Sequence, residues 1–195
     1  PRSTPKPSSA ASDVYKRQVV EREGLSIRHA SRFILIGSGN PEEGELRPQL
    51  LDRFGLSVEV LTPDTVDERI EVIKRRDDYD KHPEKYAATW DKENRKLRNK
   101  IQKARKSLGS ITVDSKILEH CAQICIDLGS DGLRGELTLV RTARALAAFN
   151  GKERVDVGHI KTIAPMALSH RLRRDPLDDA GSGTRVERSV QKIIG

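Results

Sequence analysis

The sequence predicts an α/β segment followed by a longer all-helical one. Two short apolar runs, Phe33 to Ile36 and "LSVEV" at 56–60, flank a stretch in which Leu46, Leu50, Leu51 and Phe54 have helical spacing. Strand, helix and strand in that order make a crossover unit of an α/β sheet. From Thr62 onward, apolar residues recur at intervals of three and four, with glycines where helices would stop. Composition agrees. In 195 residues, 35% are hydrophobic and 33% charged, which describes a helix-rich globular chain with room for one or two domains. No apolar run approaches the roughly 18 residues of a membrane span.

Residues 1–18, "PRSTPKPSSAASDVYKRQ", are Pro/Ser-rich and aperiodic. "SSAASDVYKRQ" resembles translated sequencing-adapter sequence, and a disordered native linker is the alternative; neither reading places it in the fold. From Val19, "VVEREGLSIRH" alternates on both sides of Gly24 and predicts a β-hairpin. Phe33–Ile36 reads as a strand buried on both faces. The segment 46–54 then reads as a short helix stopped by Gly55, and 56–60 as a second strand.

Thr62-Pro63-Asp64 predicts a helix start, with Val66, Ile70 and Ile73 on one face. A polar segment, 77–90, leads into "DKENRKLRNKIQKARKSL" at 91–108, which holds eight Lys/Arg against two acids. Net charge is +7; this stretch carries +6 and residues 1–18 carry +3, while the rest is close to balanced. Without interleaved aromatics or a nucleic-acid motif, this helix reads as a solvated basic face. In "VDSKILEHCAQICIDLG" the apolar positions 113, 117, 118, 121, 124, 125 and 128 form a stripe stopped by Gly129. Both cysteines, Cys121 and Cys125, lie in that stripe and read as core residues, not metal ligands; no disulfide framework exists, which points to a reducing compartment.

Ser130-Asp131 predicts the cap of the next helix, with Leu133, Leu137, Val140 and Ala147 inward and Asn150-Gly151 at its end. A last helix over Gly158–Arg174 turns Ile160, Ile163, Ala164, Ala167 and Leu168 inward, and 176–195 reads as a tail.

At this point a resemblance emerges. "GSGNPEEGELRPQLLDRFGL" resembles the segment from the sensor-1 strand to the arginine finger of AAA+ ATPases, and more narrowly the small ATPase subunit of magnesium chelatase. "DGLRGELTLVRTARALAAF" resembles that family's sensor-2 helix and "SHRLRRDP" its C-terminal region. The resemblance covers about 19–195. It implies the C-terminal part of a P-loop ATPase core over 19–62, a helical connector over 63–108, a helical lid domain over 109–175 and a tail over 176–195.

The resemblance also assigns roles. Asn40, at the carboxyl end of the first strand, is where α/β sheets collect ligands, and its amide would orient a water beside the terminal phosphate. Read by itself, it is a turn residue before Pro41. Arg53 would be the finger that reaches a neighbouring subunit's nucleotide, with Asp52 orienting it or the interface. Such fingers are worth roughly 10³–10⁵ in rate, or about 4–7 kcal/mol, whereas a surface pair is worth at most about 1 kcal/mol. Arg134 matches the sensor-2 arginine, and Arg141 lies two turns further along the same face. Glu42, Glu43 and Glu45 make an acidic turn that is either a subunit contact or a solvated loop.

No Gly-x-x-x-x-Gly-Lys-Ser/Thr occurs, and no apolar strand ending in paired acids lies between Val19 and Arg32. The expectation is therefore a C-terminal fragment that alone neither binds ATP tightly nor hydrolyses it. The parent would use ATP with its Mg²⁺ and assemble as a homo-oligomeric AAA+ ring. With a larger AAA+ subunit and a porphyrin-binding catalytic subunit, it would drive Mg²⁺ insertion into protoporphyrin IX, a step of chlorophyll or bacteriochlorophyll synthesis. The expected compartment is bacterial cytoplasm or chloroplast stroma. Two rivals stay open: a nucleic-acid motor, supported by the basic segment, and a non-catalytic chelatase scaffold subunit, against which Asn40, Arg53 and Arg134 argue.

Overall fold

A computed structural model describes residues 17–22, 25–30, 34–40, 46–130, 132–172 and 181–195, with the backbone alone at 17–22, 25–30 and 48–49. The chain divides into two units, Pro1–Gly55 and Leu56–Gly195. The "LSVEV" segment thus belongs with the helical part, earlier than the expected boundary at 62. The expected features at 1–16, Phe33, Glu42, Glu43, Glu45 and Asp131 lie outside the described residues.

The first unit contains the predicted hairpin. Strands β1 (Arg17–Arg22) and β2 (Leu25–Ala30) pair antiparallel, with Val20 opposite Ile27. Pairing starts at Arg17, so two residues assigned to the excluded segment take part in it. Helix α1 is a single turn, Pro48–Leu51.

Neither predicted sheet strand is a strand here. Residues 34–40 and 56–60 have no regular structure, and Ile34, Ile36 and Val60 are 90%, 88% and 89% exposed. The composition favours a strand, but a strand exists only when a neighbour takes its backbone hydrogen bonds, and among the described residues none lies alongside. The Ser57 amide instead donates to the Met166 carbonyl at 2.9 Å.

The second unit is helical. Helix α2 (Val66–Lys81) starts one turn later than Pro63 suggests, because the Thr65 side chain accepts from the Glu68 amide and caps it. The polar 77–90 segment is helical too. It completes α2 and forms α3 (Pro83–Thr89), after which α4 (Asp91–Ser107) carries the basic run. None of these three helices has a buried residue. Their junction is held by aromatic contacts, with Tyr79 edge-on to Tyr86, Tyr86 against Trp90 and the Arg75 guanidinium 5.4 Å from the Trp90 ring.

The core sits among α5 (Ser115–Asp127), α6 (Arg134–Phe149), α7 (Val157–Leu168) and α8 (Ser182–Ile194). Of the predicted α5 stripe, Ile117, Cys121, Ile124 and Cys125 are buried, and all five inward residues assigned to α7 are buried. Helix α7 starts in a reciprocal cap: Asp156 Oδ1 accepts from the His159 amide, and His159 Nδ1 accepts from the Asp156 amide, each at 3.0 Å. It gives way to a 3₁₀ turn, Ser169–Arg171, rather than running to 174.

Further readings are corrected. Leu118, counted in the α5 stripe, is 46% exposed, and α6 starts at Arg134 after Leu133, not at the Ser130 cap expected for it. Leu133 and Leu137 point outward, at 73% and 51% exposure. The inward ridge of α6 is Gly135, Leu139, Ala143 and Ala147. And the expected tail holds α8, whose Val186 and Val190 complete the core.

Candidate functional site

Helix α1 ends in a turn in which the Arg53 amide donates to the Leu50 carbonyl at 3.0 Å and the Phe54 amide to the Leu51 carbonyl at 3.0 Å. Leu51 and Phe54 are half-buried beneath it, and so is Asp52, whereas the Arg53 side chain is exposed. Arg53 is thus the exposed position in a turn whose Leu51, Asp52 and Phe54 are half-buried. Asn40 closes the irregular 34–40 stretch and is also exposed. Both residues belong to the first unit.

Arg134 and Arg141 belong to the second. Arg134 is the first residue of α6, entered through Gly132, whose φ of +70° lies in the left-handed region that favours glycine. A cation at a helix N-terminus faces the positive end of the macrodipole and costs roughly 0.3–1 kcal/mol. At 100° per residue, Leu133, Leu137, Arg141 and Arg134 fall within an arc of about 100°, and the two arginines lie about 10 Å apart along the axis. All four are exposed. This face combines two cations and two apolar side chains at a helix start, a set suited to an anionic group beside an apolar surface.

Opposite this face, α6 is held tightly. A Cβ on Gly135 would come within 2.9 Å of Ser130 Oγ and 3.3 Å of both Cys125 Sγ and a Leu168 methyl. The glycine lets α6 approach α5 and α7, which fixes where Arg134 emerges. Periodicity alone did not single out Gly135. Its place one residue after Arg134, on the side of Leu139 and Ala143, was the available signal. Burial pushes the Cys121 thiol up to about 11 and that of Cys125 to about 12, with nearby Glu136 adding to both. Both stay neutral and inert at ordinary pH, as packing residues do. No helix among the described residues is long and apolar enough to cross a membrane.

Residues 118–193 match the AAA lid domain. The chain is 61% identical over 176 residues to the magnesium-chelatase 38 kDa subunit of Cereibacter sphaeroides, covering 90% of this chain and 53% of that protein. Against the subunit of the same name from Rhodobacter capsulatus it is 60% identical, with 90% and 50% covered. Against the chloroplastic magnesium-chelatase subunit ChlI of Nicotiana tabacum it is 47% identical, with 90% and 41% covered. The chain thus spans about half the length of the curated relatives it matches. A solved protein of Cytophaga hutchinsonii assigned as an ATPase superposes with a TM-score of 0.60 at 18% identity, over 90% of this chain and 58% of that one, a likeness of fold alone.

Proposed function

We propose that this chain, which belongs to the AAA+ family of magnesium-chelatase ATPase subunits, supplies the lid, the sensor residues and the finger of an ATP-driven motor for Mg²⁺ insertion into protoporphyrin IX. The observation that carries the proposal is the 61% identity over 176 residues. In a chain of 195 residues a match of that length takes in Asn40, Arg53, Arg134 and Arg141.

In this reading ATP and its Mg²⁺ bind in the longer protein. Magnesium bound with the nucleotide neutralises charge building on the phosphoryl oxygens. Asn40 orients the attacking water through its side-chain amide. Arg53, projecting from its turn, enters the neighbouring subunit's site in a homo-oligomeric ring and meets the transition-state charge as a planar cation, with Asp52 steadying that interface. Arg134 contacts the phosphates held in its own subunit, and Arg141 adds a second cation further along the same face. The cost of placing Arg134 at a helix start is offset when an anion sits before it. The larger AAA+ subunit and the porphyrin-binding subunit are the ring's partners.

The test is a chimera in which this chain replaces the 176 matched residues of the Cereibacter sphaeroides subunit. The chimera should hydrolyse ATP and, with the two other chelatase subunits, support magnesium insertion. Arg134→Ala in it should weaken nucleotide binding and lower hydrolysis. A chimera that folds and binds ATP but never supports insertion would contradict the assignment.

A further inference from the structure

We infer that α4 carries a docking site for an acidic amphipathic helix of another protein. A shallow groove of about 420 Å³ runs along one face of α4, lined by Asn94, Leu97, Arg98, Ile101, Gln102 and Arg105. Its floor is apolar, with Leu97 and Ile101 at 50% and 44% exposure, and Arg98 and Arg105 stand beside them. From Asn94 to Arg105 the groove is about 16 Å long, three turns of a facing helix.

Charge names the occupant. Lys96 is paired with Glu93 and Lys100 lies 3.9 Å from the Phe149 ring. Lys92, Arg98, Lys103, Arg105 and Lys106 make no ion pair among the described residues. A second copy of α4 would bring like charge against like. In α2, Glu71, Asp80 and Asp77 are already paired within their own helix, with Arg75, Arg76 and Lys81. Nucleic acid fits poorly. Leu97 and Ile101 offer nothing to phosphates, no aromatic lines the groove, and Tyr86 packs edge-on to Tyr79 and tilted against Trp90. A helix with apolar residues at i and i+4, flanked by Asp and Glu, satisfies the floor and the rims together.

The probe is a fluorescent 14-residue helical peptide with leucines at i and i+4 and glutamates on both sides, measured by anisotropy against the whole chain. Controls are a same-composition scramble and a 14-base-pair DNA duplex. The patterned peptide should bind at least ten-fold more tightly than the scramble. Arg98→Glu with Arg105→Glu should abolish that advantage, and Leu97→Ser with Ile101→Ser should cut it five- to ten-fold. All four side chains are exposed, so circular dichroism should show the variants folded, and Arg98→Lys should retain binding. Equal binding of scramble and patterned peptide overturns the proposal. So does tighter binding of the duplex that ignores Leu97 and Ile101, which would make α4 a nucleic-acid surface.

Discussion

Arg134 and Gly135 are adjacent and have opposite duties. Arg134 works against its own helix dipole, so Arg134→Ala should change the melting free energy of the chain by no more than about 1 kcal/mol. Gly135 has no room. Gly135→Val should destabilise by about 1–3 kcal/mol through overpacking against Cys125 and Leu168. Urea denaturation of both variants checks the pair: a large loss at Arg134, or none at Gly135, would reverse the assigned roles. The arginine was legible because its motif is local. The glycine was not, because its constraint is set by Ser130, Cys125 and Leu168, brought together only by folding.

Helices α5 and α7 follow their apolar stripes closely, since each has one such stripe and therefore one way to face the core. Helix α6 has two ridges at four-residue spacing, Leu133–Leu137 and Gly135–Leu139–Ala143–Ala147. Larger side chains suggested the first; close helix approach selects the second, where small residues fit. Helix α8 was missed because the Gly/Ser/Asp-rich sequence before it looks like a tail, although Val186, Val190 and Ile194 recur at fours. Val186→Ala should cost about 1–3 kcal/mol of lid stability by thermal or urea melting, and no cost would remove α8 from the core. Helix α8 is also tied to α5 by the Lys192–Asp127 ion pair. The hydrogen bond from Lys192 holds the Asp127 carboxyl below its ordinary value. The folded value being the lower one, this contribution is present above the unfolded pKa of about 3.9 and is lost as pH falls through the folded value. The pair is on the surface, so its worth is at most about 1 kcal/mol. Asp127→Asn should lower stability slightly at pH 7 and leave it unchanged near pH 2. A deficit that persists at pH 2 would assign the effect to packing.

Across the whole molecule, a dense helical unit contrasts with apolar segments that lie open. Ile34, Ile36, Val60 and Leu61 are each 74–90% exposed. Their strand-like composition was legible; that they are not strands was not, since strand formation depends on neighbours that no local pattern specifies. Amides at 34–36 and 56–60 should exchange fast in this chain and slowly in the chimera, and equal rates would mean these segments are loops in both. The central claim is that Arg53 serves another subunit's nucleotide, and subunit mixing tests it most directly. In the chimera, Arg53→Ala should leave ATP binding nearly intact and remove most hydrolysis, because the finger meets charge present only in the transition state. Mixing that variant with chimeric subunits that lack the phosphate-loop lysine but keep Arg53 should restore hydrolysis at some ring interfaces, above the summed activity of the two variants alone. Normal hydrolysis by Arg53→Ala alone, together with mixtures that never exceed that sum, would contradict it.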